Sequence, residues 1–191
     1  MADPDSARER MIGGAIDLFR RRGVAATSLA DIVAHSGAPR GSVYHYFPDG
    51  KTQLASEATE HAGRVMGAAI SGLVNTKGPV AALDSFVAFY RDQLVSSEFT
   101  SGCPVVAGAL GAGESDGVRA AADAAFTSWE ETLTAALWQQ GLPTQRAGSL
   151  ATLAISAIEG ALVLARAQRS TRPLDRVGEE LAALVGGLLG R

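Results

Sequence analysis

Apolar residues recur along this chain at steps of three and four, interrupted by short polar or glycine-bearing stretches, which is the signature of amphipathic helices. From Ser6 to Arg22, Ile12, Ile16 and Phe19 share a face with Met11, Ala15 and Leu18 beside them. A second, shorter stripe of Leu29, Ile32 and Val33 follows Ser28. Ser28 with Asp31 three residues on is a capping-box start, and Gly37 is placed to end the helix through positive φ. Pro39 stands where a further helix of roughly ten residues would begin, since the first helical N–H has no intrahelical partner. Only Val43 and Phe47 look like core there, and Pro48-Asp49-Gly50 stops it. Beyond, the pattern predicts helices over 53–74, 80–99, 118–140, 145–169 and 174–189, with a short apolar segment over 105–111. The breaks are NTKGP at 75–79, a loop at 100–104, the Gly-rich stretch 108–117, Gly141 with Pro143, and Thr171-Arg172-Pro173. No run of β-branched residues alternates as a strand would. The pattern therefore predicts an all-α chain of about nine helices: a three-helix headpiece over 1–51 and a longer helical region over 52–191.

The headpiece carries the candidate chemistry. Arg40, Ser42, Tyr44, His45 and Tyr46 crowd a helix too short to be stable alone, so they are spent on a partner rather than on core. Two helices joined by a tight glycine-bearing turn, the second rich in donors, form the helix-turn-helix that places its second helix in a DNA groove. The run ATSLADIV, SG, RGSVYHYF and the trailing Lys51 resembles the N-terminal DNA-binding domain of the tetracycline-repressor (TetR) family over about residues 8–55. APRGSVYHYFPDGK, and SGCPV at 101–105, resemble its LmrA/YxaF-like members. The chain departs from the family pattern at Val33, where alanine is usual, and at Pro39, where many members have a serine cap. The resemblance implies that Arg40 and His45 face base edges and that Gly41 lets the backbone approach the groove. It places Thr27, Ser42, Tyr44, Tyr46 and Lys51 on phosphates, with Ser28 beside them.

The net charge of -3 by itself argues against a nucleic-acid partner, and its distribution along the chain softens that objection. Through Lys51 there are 7 basic and 6 acidic residues; the remaining 10 basic and 14 acidic residues bring the net charge to -3. Non-specific DNA affinity should therefore be weak and readily lost with salt. Arg20-Arg21-Arg22 suits both the C-terminal end of a helix dipole and a phosphate contact. One cysteine excludes an internal disulfide framework, and the polar opening from Met1 to Arg10 is not a signal peptide, so the cytoplasm is the expected location. The longest apolar run, Leu150 to Ala165, contains Glu159 and falls short of the roughly 20 residues a bilayer needs, so no membrane association is expected. His35, His45 and His61 have no carboxylate partners at metal-ligand spacing, and GALGAG at 108–113 lacks the offsets of a dinucleotide fingerprint. No enzyme activity, cofactor or metal is expected; a helical enzyme is the remote alternative.

Two patterns concern the rest of the chain. Leu174, Val177, Leu181, Leu184 and Leu188 step by heptad spacing, and Ile155, Ile158, Leu162 and Ala165 step similarly in the preceding helix. Two such helices from each of two copies would make a four-helix bundle, which is how the resemblance implies that the chain dimerises on a palindromic operator. The alternative is that both seams are consumed inside one monomer. Phe86, Phe89, Tyr90, Phe126, Trp129 and Trp138 concentrate in the middle helices near Gly-rich breaks. Ordinary core accounts for most of them, but the resemblance implies an effector site, with Cys103 added to Phe86, Phe89, Tyr90, Phe126 and Trp129 as its lining. Few charges interrupt these faces, so a small apolar or aromatic effector fits better than a sugar. Cys103 is either a small buried hydrophobe or, at a helix start, a redox sensor. The competing reading is a DNA-binding or architectural protein that answers to no effector.

Overall fold

The computed structural model describes residues 7–39, 41–111 and 115–190; Arg40, residues 1–6 and 112–114, and Arg191 lie outside them. The described residues form α1 (Ala7–Arg22), α2 (Leu29–Ser36), α3 (Val43–Tyr46), α4 (Gly50–Lys77), α5 (Pro79–Ser96), α6 (Pro104–Gly111), α7 (Asp116–Gln139), α8 (Thr144–Gln168) and α9 (Arg172–Leu188), and no strand. They divide into two compact units, Met1–Arg64 with Cys103–Ala125, and Val65–Gly102 with Phe126–Arg191.

The first unit is larger than the headpiece expected over 1–51. Its core joins Phe19, Ile32, Val43 and Phe47 to Leu54 and Ala58 of α4 and Val118 of α7, all buried. Glycines admit α6 to this unit. A Cβ at Gly111 would lie 2.7 Å from the Val24 Cβ, and one at Gly108 2.7 Å from the Thr59 hydroxyl. Side chains at either position would hold the helix away.

Several boundaries differ from the sequence expectation. The helix expected from Pro39 begins only at Val43, because the Ser42 amide and hydroxyl both donate to the Pro39 carbonyl, at 3.0 and 2.7 Å. That is a turn's spacing of three, not a helix's four. The helix expected from Gln53 starts at Gly50 and runs to Lys77. α5 stops at Ser96 instead of Phe99, since Glu98 and Phe99 adopt left-handed backbone at φ 51° and 62°.

In the second unit α9 packs on α5 and α8. Leu174, Gly178, Leu181 and Val185 form its inward face. α8 buries Ala147, Leu150, Ala151, Ile158, Ala161, Leu162 and Ala165. With 25 residues, α8 is long and apolar enough to cross a membrane, unlike the shorter run the sequence suggested, and about 33% of its most apolar window is buried within the fold.

Candidate DNA-reading surface and effector cavity

The local chemistry of α2 is as the capping box requires. Ser28 Oγ accepts from the Asp31 amide at 3.1 Å, and Asp31 accepts from the Ser28 amide at 2.9 Å and its hydroxyl at 2.7 Å. These bonds from Ser28 hold the Asp31 carboxyl below the usual carboxylate range, with the charge of Arg22 adding to them. Gly37 closes α2 at φ 64°, a conformation a Cβ would strain. On α1, burial pushes the Asp17 carboxyl up, but hydrogen bonds from Arg20 and Arg21 and their charges outweigh it and leave its pKa lowered. Asp17 also lies 3.2 Å from His35 Nε2, tying α1 to α2.

A second network fixes the far end of the α3 segment. The Asp49 amide donates to Gln53 Oε1 at 3.1 Å, and Gln53 Nε2 donates to Glu57 Oε1 at 3.0 Å. Arg8 pairs with Glu57 and lays its guanidinium 5.5 Å from the centroid of the buried Phe47 ring. The turn leaving α3 is therefore clamped to both α1 and α4.

Tyr44 and His45 are exposed, the former at 65%, and Gly41 is exposed with open space where a Cβ would stand. Tyr46 is half-buried and meets the His45 ring edge-on at 5.0 Å. Lys51 Nζ donates to the Ala25 carbonyl at 3.4 Å, which leaves an ammonium two further donors. Ser42 directs its hydroxyl to Pro39 and Ser28 directs its own to Asp31. Thr27 departs from expectation: it is 1% exposed and its hydroxyl donates to the Gly23 carbonyl at 2.8 Å, so its side chain braces the turn into α2 rather than meeting a phosphate. Arg40 lies outside the described residues.

The second unit contains an apolar cavity of about 80 Å³ that is partly open to solvent. Ile70 and Val74 of α4, Phe86 of α5, Trp129 of α7 and Ile155 of α8 line it, together with Glu159. The Trp129 ring is 2% exposed and meets Phe126 edge-on at 5.3 Å.

Two family profiles match the chain. "Bacterial regulatory proteins, tetR family" covers residues 12–58, and "Transcriptional regulator LmrA/YxaF-like, C-terminal domain" covers residues 79–180. The HTH-type transcriptional regulator Rv0196 of Mycobacterium tuberculosis is 42% identical over 184 residues, spanning 93% of each chain. YxaF of Bacillus subtilis is 34% identical over 190 residues, spanning 97% of this chain and 98% of its own. This chain belongs to the TetR family of transcriptional regulators. Its fold is also that of a TetR regulator from Legionella pneumophila, with a TM-score of 0.84 at 22% identity over 94% of this chain and 97% of that one. The family is one of DNA-binding regulators, not enzymes.

For a TetR-family protein, the sequence-derived effector set is only partly brought together. Phe86 and Trp129 line the cavity, and Phe126 supports Trp129 from beside it. Tyr90 is buried next to Phe86 with ring centroids 5.0 Å apart, outside the lining. Phe89 is 44% exposed on the solvent side of α5. Cys103 is buried in the first unit, just ahead of α6, and so does not belong to a cavity of the second. Sequence reasoning missed the aliphatic wall from α4 and α8, because helical aliphatics are indistinguishable from core until their neighbours are placed. It also passed over Glu159, whose position within an apolar run was the available signal.

The sequence-derived dimer seam needs a similar correction. Leu174, Leu181, Ile158 and Leu162 are each 5% exposed or less, consumed by packing inside the monomer. Val177, Leu184 and Ile155 are half-buried, and Ile155 faces the cavity. Only Leu188, at 43%, remains substantially exposed. The seam steps correctly, but small Gly178 lets α9 close on Val87 of α5, so that face turns inward.

Proposed function

We propose that this protein is a homodimeric repressor that binds a palindromic operator and leaves it when a small apolar molecule enters the second unit. The observation that carries this reading is the apolar cavity together with the course of α4. That helix begins at Gly50, directly after the recognition segment, and further along supplies Ile70, Leu73 and Val74 to the cavity wall. A movement of those residues is communicated along a single helix to the segment behind the DNA-reading turn.

Size supports a switch. Sites for small molecules usually hold about 300–1,000 Å³, and this cavity holds about 80 Å³. An effector of ordinary size must push the lining helices apart, so it binds the opened form better than the closed one, which is the differential affinity a switch requires.

Dimerisation is supported by a second stripe on α8. Leu153, Ala157, Gly160, Leu164 and Ala167 step by four, three, four and three on the face opposite the buried one, with Leu153 46% and Leu164 51% exposed. This is a heptad-spaced stripe that the described residues leave partly uncovered, and small residues at its centre permit close approach. Paired headpieces then read half-sites about one helical turn or a multiple apart.

The test is reciprocal linkage. An effector preferring the released form by about 3 kcal/mol weakens operator binding roughly 150-fold, and operator must weaken effector binding by the same factor. Effector affinity read from Trp129 quenching should differ by that factor with and without saturating operator. Equal affinities would leave a DNA-binding regulator with no coupled effector.

A further inference from the structure

We infer that the effector is an apolar body bearing one hydrogen-bond donor, an ammonium or a hydroxyl, and that Glu159 receives it. This rests on the reading of the cavity as an effector site. Among its described lining residues, Glu159 is the one ionisable group; the rest are aliphatic or aromatic, with the Trp129 indole N–H the other polar atom. Glu159 sits mid-way along α8, between the buried Ile158 and the exposed Gly160, and is itself half-buried. When a ligand fills the cavity and expels water, a carboxyl group facing it loses solvation that hydrocarbon cannot replace. A carboxylate accepts at about four lone-pair sites, so it can keep its protein contacts and still take a donor from the ligand. A ligand bringing such a donor recovers the loss, one without it does not, and an anion is repelled.

The experiment uses four probes on one skeleton, measured by calorimetry with the full-length protein: naphthalene, 2-naphthol, 1-naphthylmethylammonium and 2-naphthoate. The two donors should bind roughly ten- to hundredfold tighter than naphthalene, the range expected for a hydrogen bond to a charged group, and naphthoate should bind most weakly. A larger gain for the ammonium identifies a cationic effector; equal gains identify a neutral donor. Glu159→Gln should shrink the donors' advantage and strengthen naphthoate while naphthalene is unchanged, its affinity reporting that the cavity is intact. Equal binding of naphthalene and the donors, or an unaltered order in Glu159→Gln, overturns the inference and leaves the effector reading standing. Loss of naphthalene binding in Glu159→Gln makes the carboxylate a support of the cavity wall and also overturns it. Failure of all four probes to bind the wild type removes the effector reading as well.

Discussion

Leu164→Glu and Leu181→Glu should fail in different ways, and the contrast tests which face of the last two helices pairs with a second copy. Leu164 is 51% exposed in the monomer, whereas Leu181 is 5% exposed. Complete burial of a leucine is worth about 1.5–3 kcal/mol, so covering the remaining half of Leu164 contributes about 1 kcal/mol per copy and about 2 kcal/mol per dimer. Replacing it by glutamate forfeits that and sets two carboxylates against an apolar seam. The total is about 3 kcal/mol or more, and at least about a hundredfold in the dimerisation constant. The monomer should lose little, since the side chain stays in water. Leu181→Glu instead drives an unpaired charge into the packing between α9 and its neighbours. A loss of about 4–5 kcal/mol is expected, a large share of the 5–15 kcal/mol that holds a typical domain. Sedimentation velocity at micromolar concentration and thermal melts followed by circular dichroism read the two effects separately. Leu164→Glu should be a folded monomer, and Leu181→Glu should melt early or fail to fold. A dimeric Leu164→Glu, or a Leu181→Glu with an unchanged melt, would refute the assignment of outward and inward faces.

Further expectations concern the first unit. Gly63→Ala would bring a Cβ within 2.6 Å of the Ala125 Cβ, and overpacking of this kind costs about 1–3 kcal/mol against alanine's gain of about 1 kcal/mol in helix propensity, a net loss of about 0–2 kcal/mol; a raised melting temperature would contradict the close approach of α4 and α7. Asp17 and Asp31 both have folded pKa values lowered from the ordinary 3.8, so the unfolded chain binds their protons more tightly. The stability they contribute is complete above that value and is lost as pH falls through the folded ones; Asp17→Asn with Asp31→Asn should flatten the acid limb of a stability-versus-pH curve. Arg8→Met keeps the cover over Phe47 but removes the Glu57 pair. Global stability should change by under about 1 kcal/mol, since Arg8 is 43% exposed, while operator affinity falls as the turn at Asp49 loosens; anisotropy with labelled operator checks this. Lys51→Ala should weaken operator and random DNA alike and reduce the salt slope by about one unit, and loss confined to the operator would assign Lys51 to base reading.

What the sequence determined by itself is local. The capping box of Ser28 and Asp31, the left-handed Gly37 and the breaks at Gly78-Pro79 and Gly141 are set by groups within a few residues of one another, so no distant contact is needed to decide them. The headpiece core was legible for a related reason. Phe19, Ile32 and Val43 lie on helices with one apolar face each, and Phe47 directly follows the last of them, which leaves only one face to bury. α8 offers apolar residues on nearly every side, and there the spacing that found Ile158 and Leu162 could not tell them from Leu153 and Leu164. Periodicity establishes that a stripe exists, but which neighbour covers it depends on how closely backbones approach. That was decided by Gly178 against Val87 on α9 and by Gly108 against Thr59 on α6. The same holds for the aromatics. Phe86 and Phe89 are three residues apart on one helix, yet only tertiary packing turned one to the cavity and the other to water. A helix fixes the angle between two side chains, while the direction of the core is fixed by everything packed around it.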